Sequence, residues 1–90
     1  MPRVHFTRNL LRFFPGLTEQ SAVGTSVAQV LAELERRHPG LASYLTDEQG
    51  RLREHVNVFV GNRPIQDRER LGDPLADDDE VYFFQALSGG

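Results

Sequence analysis

Alternating apolar and polar residues mark the first part of the chain as β-structure. In residues 3–7, Val4 and Phe6 alternate with polar neighbours, a spacing typical of a half-buried strand. Residues 17–23 carry a weaker strand pattern. Residues 10–14 between them are largely apolar and run into a Pro-Gly turn signal, so we expect a longer loop there. The two strands are close enough in sequence to form an antiparallel pair.

A helical period follows. Thr25 or Ser26 caps the start of a helix, and Ser26 with Gln29 three positions later fits a capping box. The sequence His-Pro-Gly at residues 38–40 ends the helix, and residues 41–45 are expected to add one short turn packed on the core. Four apolar residues recur at the spacing of one helix face, and we expect them to be buried: Val27, Val30, Leu31 and Leu34.

The second half of the chain returns to strands. Residues 46–54 are polar and are expected to form a loop, followed by a strand over residues 55–60 and a short edge strand at residues 64–65. Residues 81–87 form the final strand. The predicted order is β-β-α-β-β-β, which favours an α+β fold with a mixed sheet packed on one main helix. In the strand over residues 55–60, one face is formed by Val56, Val58 and Val60.

The final strand is apolar on both of its faces, since it reads Val-Tyr-Phe-Phe over residues 81–84. One face must pack on the helix. The other face, with Phe59 beside it, has two interpretations. Either residues 10–14 or a loop cover it, or it is an exposed patch that docks a partner.

Composition narrows the classes of function. The chain of 90 residues has no cysteine, and all ten of its basic residues are arginine. These arginines are scattered and the net charge is −3, so a nucleic-acid partner is not expected. No apolar run approaches the ~20 residues of a membrane span, and the N-terminus lacks a signal-peptide core. We therefore expect a cytoplasmic protein with no membrane partner.

No pattern for catalysis or metal binding is present. The three histidines are far apart in sequence, and none has a carboxylate at metal-ligand spacing. The serines lack the context of a hydrolase nucleophile, and no nucleotide-binding loop occurs. The acidic residues 77–80 favour a solvated turn over a cation site.

The end of the chain carries a different kind of chemistry. Residues 86–90 read Ala-Leu-Ser-Gly-Gly. Glycine lacks a Cβ atom, so a Gly-Gly end passes through a channel too narrow for other residues. This favours a protein whose own terminal carboxylate reacts in a partner's active site. The alternative is a disordered end on which the glycines are incidental.

Taken in order, these features resemble the ubiquitin-like β-grasp sulfur carriers, the MoaD/ThiS family. The resemblance covers essentially the whole chain and rests on residues 24–41, residues 56–60, residues 75–81 and the final Gly89-Gly90. Family members often have prolines in the tail, where this chain has glutamine and alanine. The resemblance implies a β-grasp domain over residues 1–87 and a flexible Gly-Gly tail over residues 88–90.

The resemblance also implies a mechanism. A ubiquitin-activating-type adenylyltransferase would use ATP and Mg to adenylate the Gly90 carboxylate, and a sulfur donor would convert it to a thiocarboxylate. The chain would then act as a sulfur-carrying subunit or co-substrate rather than a stand-alone enzyme, with no bound cofactor or metal, and as a monomer when free. The residues expected to contact partners are Phe59, Phe84, Leu87, Ser88 and Gly89.

Several sulfur acceptors are consistent with this resemblance. The leading expectation is molybdopterin biosynthesis, with the chain as the small subunit that inserts its tail into the large subunit of molybdopterin synthase. Sulfur delivery to a PLP-dependent acceptor enzyme for cysteine synthesis is a close rival, and tRNA thiolation remains open. The other classes are a ubiquitin-like protein modifier linked through Gly90 to lysines of other proteins, and a plain interaction domain.

Overall fold

The computed structural model describes residues 1–85. Along the chain, the main helix predicted from the sequence comes after the first two strands and before the next two, and the final strand follows these. Residues 86–90, which contain the predicted tail, lie outside the described residues. The elements along the chain are β1 (Arg3–Phe6), α1 (Arg8–Phe13), β2 (Gln20–Ser21), α2 (Val27–Arg37), α3 (Leu41–Leu45), β3 (Val56–Val60), β4 (Arg63–Pro64) and β5 (Glu80–Gln85).

The five strands form one mixed sheet in the order β2-β1-β5-β3-β4. The first and last strands of the sequence are parallel neighbours, with Val4 opposite Val81 and Phe6 opposite Phe83. The other pairs are antiparallel. A parallel pair needs a long crossover connection, and here that connection includes α2. The final strand therefore occupies the centre of the sheet.

Helix α2 forms as the sequence predicts. The Ser26 hydroxyl accepts a hydrogen bond from the Gln29 amide at 3.2 Å, which satisfies one of the free N–H groups at the helix start. The Gln29 side chain accepts a hydrogen bond from the Thr25 amide at 2.8 Å. In a strict capping box the donor would be the amide of the capping residue itself, Ser26. The predicted apolar stripe is buried, with Val27, Val30 and Leu34 fully inaccessible.

The core lies between α2 and the inner face of the sheet. Alternation along the strands places Val4, Val58, Val81 and Phe83 on this face, and all four are buried. Helix α3 confirms the predicted short turn, since Leu41 is fully buried on the same core.

The structure corrects the prediction for residues 10–14. They belong mainly to a short helix, α1, rather than to a loop, and the buried Leu10 anchors that helix in the core. The predicted second strand is also shorter than residues 17–23, because only Gln20–Ser21 pairs with β1. The flanking Leu17 and Ala22 are buried without extending the strand.

Smaller differences concern the ends of strands. Strand β3 begins at Val56 rather than at residue 55, and β4 covers Arg63–Pro64 rather than residues 64–65. Residues 46–54 form the expected loop, which a single bridge between Thr46 and Leu52 closes. Among residues 1–85, no helix has the length and apolar character needed to cross a membrane.

Candidate functional site

Three aromatic side chains lie together on the outer face of the sheet, opposite the core. Phe59 of β3 is paired with Tyr82 of β5, and Phe84 is two residues further along β5 on the same face. The rings of Phe59 and Phe84 meet edge to face at 5.4 Å, and those of Tyr82 and Phe84 are nearly parallel at 6.3 Å. We call these three residues the aromatic patch.

Within residues 1–85, the aromatic patch is partly open to solvent, with Phe84 exposed and with Phe59 and Tyr82 half-buried. Its three side chains, together with Gly61 and Asn62, line a shallow cavity of about 290 Å³. Phe84 is 39% exposed. Apolar side chains on an exposed concave surface are typical of a protein-docking site.

Residues 10–14 do not cover the aromatic patch. Leu10 is buried in the core, and Phe14 packs against Tyr44 of α3 with ring centres 5.6 Å apart. Both contacts lie on the helical side of the sheet. Within residues 1–85, the structure therefore supports the second of the two interpretations, an exposed patch on the last strand.

A charged group borders the aromatic patch on the side of β1. The His5 ring stacks on Tyr82 with centres 4.5 Å apart, and its two nitrogens lie 2.8 Å from a Glu80 oxygen and 3.0 Å from a Glu19 oxygen. Arg3 donates to the Glu19 carboxylate at 2.6 Å, and this hydrogen bond is the main reason that the pKa of Glu19 is lowered. One edge of the aromatic patch is therefore polar and carries fixed carboxylates.

The predicted partner-binding residues divide into two groups. Phe59 and Phe84 lie in the aromatic patch, whereas Leu87, Ser88, Gly89 and the proposed reactive Gly90 lie outside the described residues. Sequence reasoning did not include Tyr82 or His5 among the candidates. The sequence does indicate that Tyr82 shares a face with Phe84, because it is two residues earlier in the same strand. Nothing in the sequence indicates His5, because its stacking on Tyr82 depends on the parallel register of β1 with β5.

Gln85 is the last residue that the structure describes. Its amide lies 3.5 Å from the Thr7 hydroxyl oxygen, and its side-chain oxygen accepts a hydrogen bond from the Tyr44 hydroxyl at 2.9 Å. Gly90 is five residues further on. A fully extended chain spans at most ~3.3–3.6 Å per residue, so five residues can bridge at most roughly 18 Å.

The described residues offer little chemistry of their own. Among residues 1–85, no group of three or more histidine and acidic side chains is arranged to hold a metal ion. The most prominent feature of the described residues is the aromatic patch, whose Phe84 is next to Gln85 in β5.

Comparisons with known proteins agree with this geometry. The sequence matches the ThiS family over residues 7–90. It is 30% identical over 77 residues to the sulfur carrier protein CysO of Mycobacterium tuberculosis, an alignment that covers 83% of each chain. It is 35% identical over 65 residues to small archaeal modifier protein 3 of Haloferax volcanii, covering 72% of this chain and 70% of that protein.

A solved structure shows the same fold. A chain of the crystal structure of the Amycolatopsis orientalis BexX/CysO complex superposes with a TM-score of 0.85 at 24% identity, and 100% of each chain is covered. The mixed sheet packed on one main helix is thus the β-grasp arrangement that the sequence predicted. The chain therefore belongs to the ThiS family, and it is a ubiquitin-like β-grasp protein of the sulfur-carrier type.

Proposed function

We propose that this protein carries sulfur as a thiocarboxylate on Gly90. The family match supports this proposal because it extends through residue 90. The observation that carries it is the exposed aromatic patch on β5, directly before the tail. A carrier needs a surface by which an enzyme holds it and a narrow end that enters the active site, and this chain has a candidate for each.

The proposed chemistry has two steps, and the partners supply the catalytic groups for both. First, an oxygen of the Gly90 carboxylate attacks the α-phosphorus of ATP, and pyrophosphate leaves with Mg²⁺. The product is an acyl adenylate, which is a far better electrophile than a carboxylate. Sulfide then attacks the acyl carbon, a C–S bond forms, and the bond between the acyl carbon and the AMP oxygen breaks, so that AMP leaves with the electron pair and the product is the thiocarboxylate. The chain itself holds neither ATP nor metal in this scheme.

The aromatic patch is the proposed docking surface for the adenylyltransferase. Phe59 and Phe84 contribute apolar area, and Tyr82 adds a ring with a polar end, the type of residue that is enriched at protein interfaces. For the terminal carboxylate to react, an enzyme that holds this patch must have its active site within the reach of the five residues after Gln85, at most roughly 18 Å. The proposed reaction needs no access to the protein interior and takes place in the cytoplasm.

Two sulfur acceptors are proposed for this carrier. The expectation from the sequence is a pterin precursor, with this chain as the small subunit of molybdopterin synthase. The similarity to CysO supports a sulfur carrier and names no pterin, so a PLP-dependent acceptor enzyme for cysteine synthesis is proposed beside it. The thiocarboxylated protein should be given to each acceptor system in turn, with transfer of sulfur as the readout.

A second candidate function is covalent protein modification. The similarity to small archaeal modifier protein 3 specifically favours it. The same adenylated Gly90 would then form an amide bond with a lysine of another protein. This chain has no lysine, so it would not form lysine-linked chains with itself.

Intact-mass measurement tests the proposed function. The protein is incubated with the adenylyltransferase of its own organism, ATP, Mg²⁺ and sulfide. We expect a mass gain equal to the replacement of one oxygen by sulfur, which is lost when ATP is omitted and when Gly90 is deleted. A Val23→Ala variant, altered at an exposed position far along the chain from the tail, should gain sulfur normally. An unchanged mass with an enzyme that is active on another carrier would count against the proposal.

A further inference from the structure

Helix α1 presents a second exposed surface, apart from the aromatic patch. Leu10 points into the core and is fully buried. An α-helix has 3.6 residues per turn, so Arg8 and Arg12 lie one turn apart on the side of the helix away from Leu10. Leu11 and Phe13 flank the two arginines. We call Arg8, Leu11, Arg12 and Phe13 the α1 surface.

The apolar residues of the α1 surface are exposed. Phe13 is 60% exposed and Leu11 is 39% exposed. No other large apolar side chain in residues 1–85 has a greater exposed fraction than Phe13. Its ring meets that of Tyr44 in α3, with centres 5.1 Å apart. Large apolar side chains that lie together at the surface are typical of a protein-docking site.

The two arginines of the α1 surface lack acidic partners. Four other arginines of the chain form ion pairs with acidic side chains. Within the described part of the chain, neither Arg8 nor Arg12 forms one. Residues 1–18 and 38–46, which include α1 and α3, contain no aspartate or glutamate. A chain with a net charge of −3 therefore has a locally positive surface on α1.

The α1 surface and the aromatic patch suit partners of different charge. The edge of the aromatic patch carries the carboxylates of Glu19 and Glu80, whereas the α1 surface carries unpaired guanidinium groups. Like charges that meet across an interface are costly. A partner surface that matches one region is therefore disfavoured at the other.

We propose that the α1 surface is the docking site for the sulfur acceptor enzyme, which would present carboxylates beside an apolar recess. This inference rests on the proposed carrier function, in which the chain meets two enzymes in turn. The aromatic patch is assigned to the first, the adenylyltransferase, and the α1 surface to the second. Phe13 fills the apolar recess, and the guanidinium groups of Arg8 and Arg12 donate to the carboxylates.

Calorimetric titration of the unloaded protein with the acceptor enzyme measures this docking without any sulfur chemistry. Both proposed acceptors of its own organism are titrated, the large subunit of molybdopterin synthase and the PLP-dependent enzyme. Arg8→Glu is the main variant. Residue 8 begins α1, where the helix dipole favours a negative side chain, so the fold should be kept. Arg70→Glu is the matched control, because it makes the same change in net charge at another exposed arginine.

The α1 variants should weaken docking, and the control should not. Arg8→Glu should raise the Kd of the acceptor at least about 5-fold, because repulsion replaces attraction. Phe13→Ala should raise it about 10-fold or more, since a 60% exposed phenylalanine offers roughly 120 Å² for a partner to cover. Arg70→Glu should leave it within about twofold. Urea unfolding must show that Phe13→Ala is folded, because this change removes the ring contact with Tyr44.

Salt provides a second readout of the same contact. Added salt screens charges at an exposed interface, so the Kd of the wild type should rise with ionic strength. The Kd of Arg8→Glu should rise less, because one attractive contact is already absent. A Kd of the wild type that does not depend on salt would contradict the role of the arginines.

Sulfur loading separates the two proposed partners. With the adenylyltransferase, ATP and sulfide, Arg8→Glu and Phe13→Ala should gain sulfur with a KM within about twofold of the wild type. Impaired loading of both variants would place the adenylyltransferase on α1 and overturn the assignment. Self-association of the free protein that is lost in Phe13→Ala would identify a second copy as the occupant, and it would also overturn the assignment.

The failures of the two proposals are distinguishable. The docking site is overturned, and the carrier function stands, if the wild type gains sulfur but binds neither acceptor. The same conclusion follows if the α1 variants bind with the wild-type Kd, or if Arg70→Glu weakens binding as much as Arg8→Glu. If the wild type gains no sulfur with an active enzyme, the carrier function is wrong, and the α1 surface loses its assignment to a sulfur acceptor whatever the Kd values show.

Discussion

The aromatic patch leads to a quantitative prediction for Phe84→Ala. A phenylalanine side chain presents about 200 Å², so the 39% exposure of Phe84 leaves roughly 80 Å² for a partner to cover. At about 25 cal/mol per Å², its burial would contribute roughly 2 kcal/mol to docking. We therefore expect Phe84→Ala to weaken binding to the adenylyltransferase by about 30-fold.

Titration calorimetry of each variant against the adenylyltransferase measures this effect as a change in Kd. Phe84→Ala also removes two aromatic pairs, with Phe59 and with Tyr82, and should cost about 1–2 kcal/mol of folding stability, so urea unfolding must show that the variant is folded. Val23→Ala is the matched control, because Val23 is 48% exposed but lies outside the aromatic patch. A Kd for Phe84→Ala within twofold of the wild type would refute the assignment of this surface.

Two further predictions concern the scaffold. Leu34 is fully buried, so Leu34→Ala should lower the free energy of unfolding by about 2–5 kcal/mol in urea titrations; the same change at the 39% exposed Leu11 should cost under about 1 kcal/mol. Hydrogen bonds from the Gly40 and Ala42 amides lower the pKa of Glu35 from its ordinary 4.5. The ionised Glu35 carboxylate therefore contributes fully to stability at pH values above 4.5. This contribution is lost as the pH falls through the lowered pKa of the folded protein. The stability difference between wild type and Glu35→Gln should shrink in acid; a difference that is constant from pH 7 to pH 3 would contradict this assignment.

Elements with a local signal were predicted well. Helix α2 has a capping serine, an apolar stripe and a Pro-Gly stop within fifteen consecutive residues, 26–40. Helix α1 has a Pro-Gly signal after it but is only six residues long, and it begins without a side-chain cap and without an acidic residue in the first turn. Its formation depends on the burial of Leu10 in the assembled core, and no local pattern records that contact.

In the candidate site, too, the residues in strands with a local sequence pattern were predicted, and the contacts that depend on the tertiary fold were not. Phe59 was predicted because its strand alternates in the sequence, and Phe84 because the final strand is apolar on both of its faces. The stacking of His5 on Tyr82 depends on the parallel register of the first and last strands, which is a property of the completed sheet. The hydrogen bond between Tyr44 and Gln85 joins residues 41 positions apart. Contacts of this kind emerge only from the tertiary fold.

The central claim is a thiocarboxylate on Gly90, and peptide mass spectrometry of the protein from its own cells tests it most directly. Arg70 is the last basic residue, so trypsin releases residues 71–90 as one peptide. The account predicts a fraction of this peptide with sulfur in place of one carboxylate oxygen, with the fragment ions that change mapping to Gly90. A peptide that always carries an ordinary carboxylate, or that is joined through Gly90 to lysines of other proteins without any sulfur form, would contradict the account.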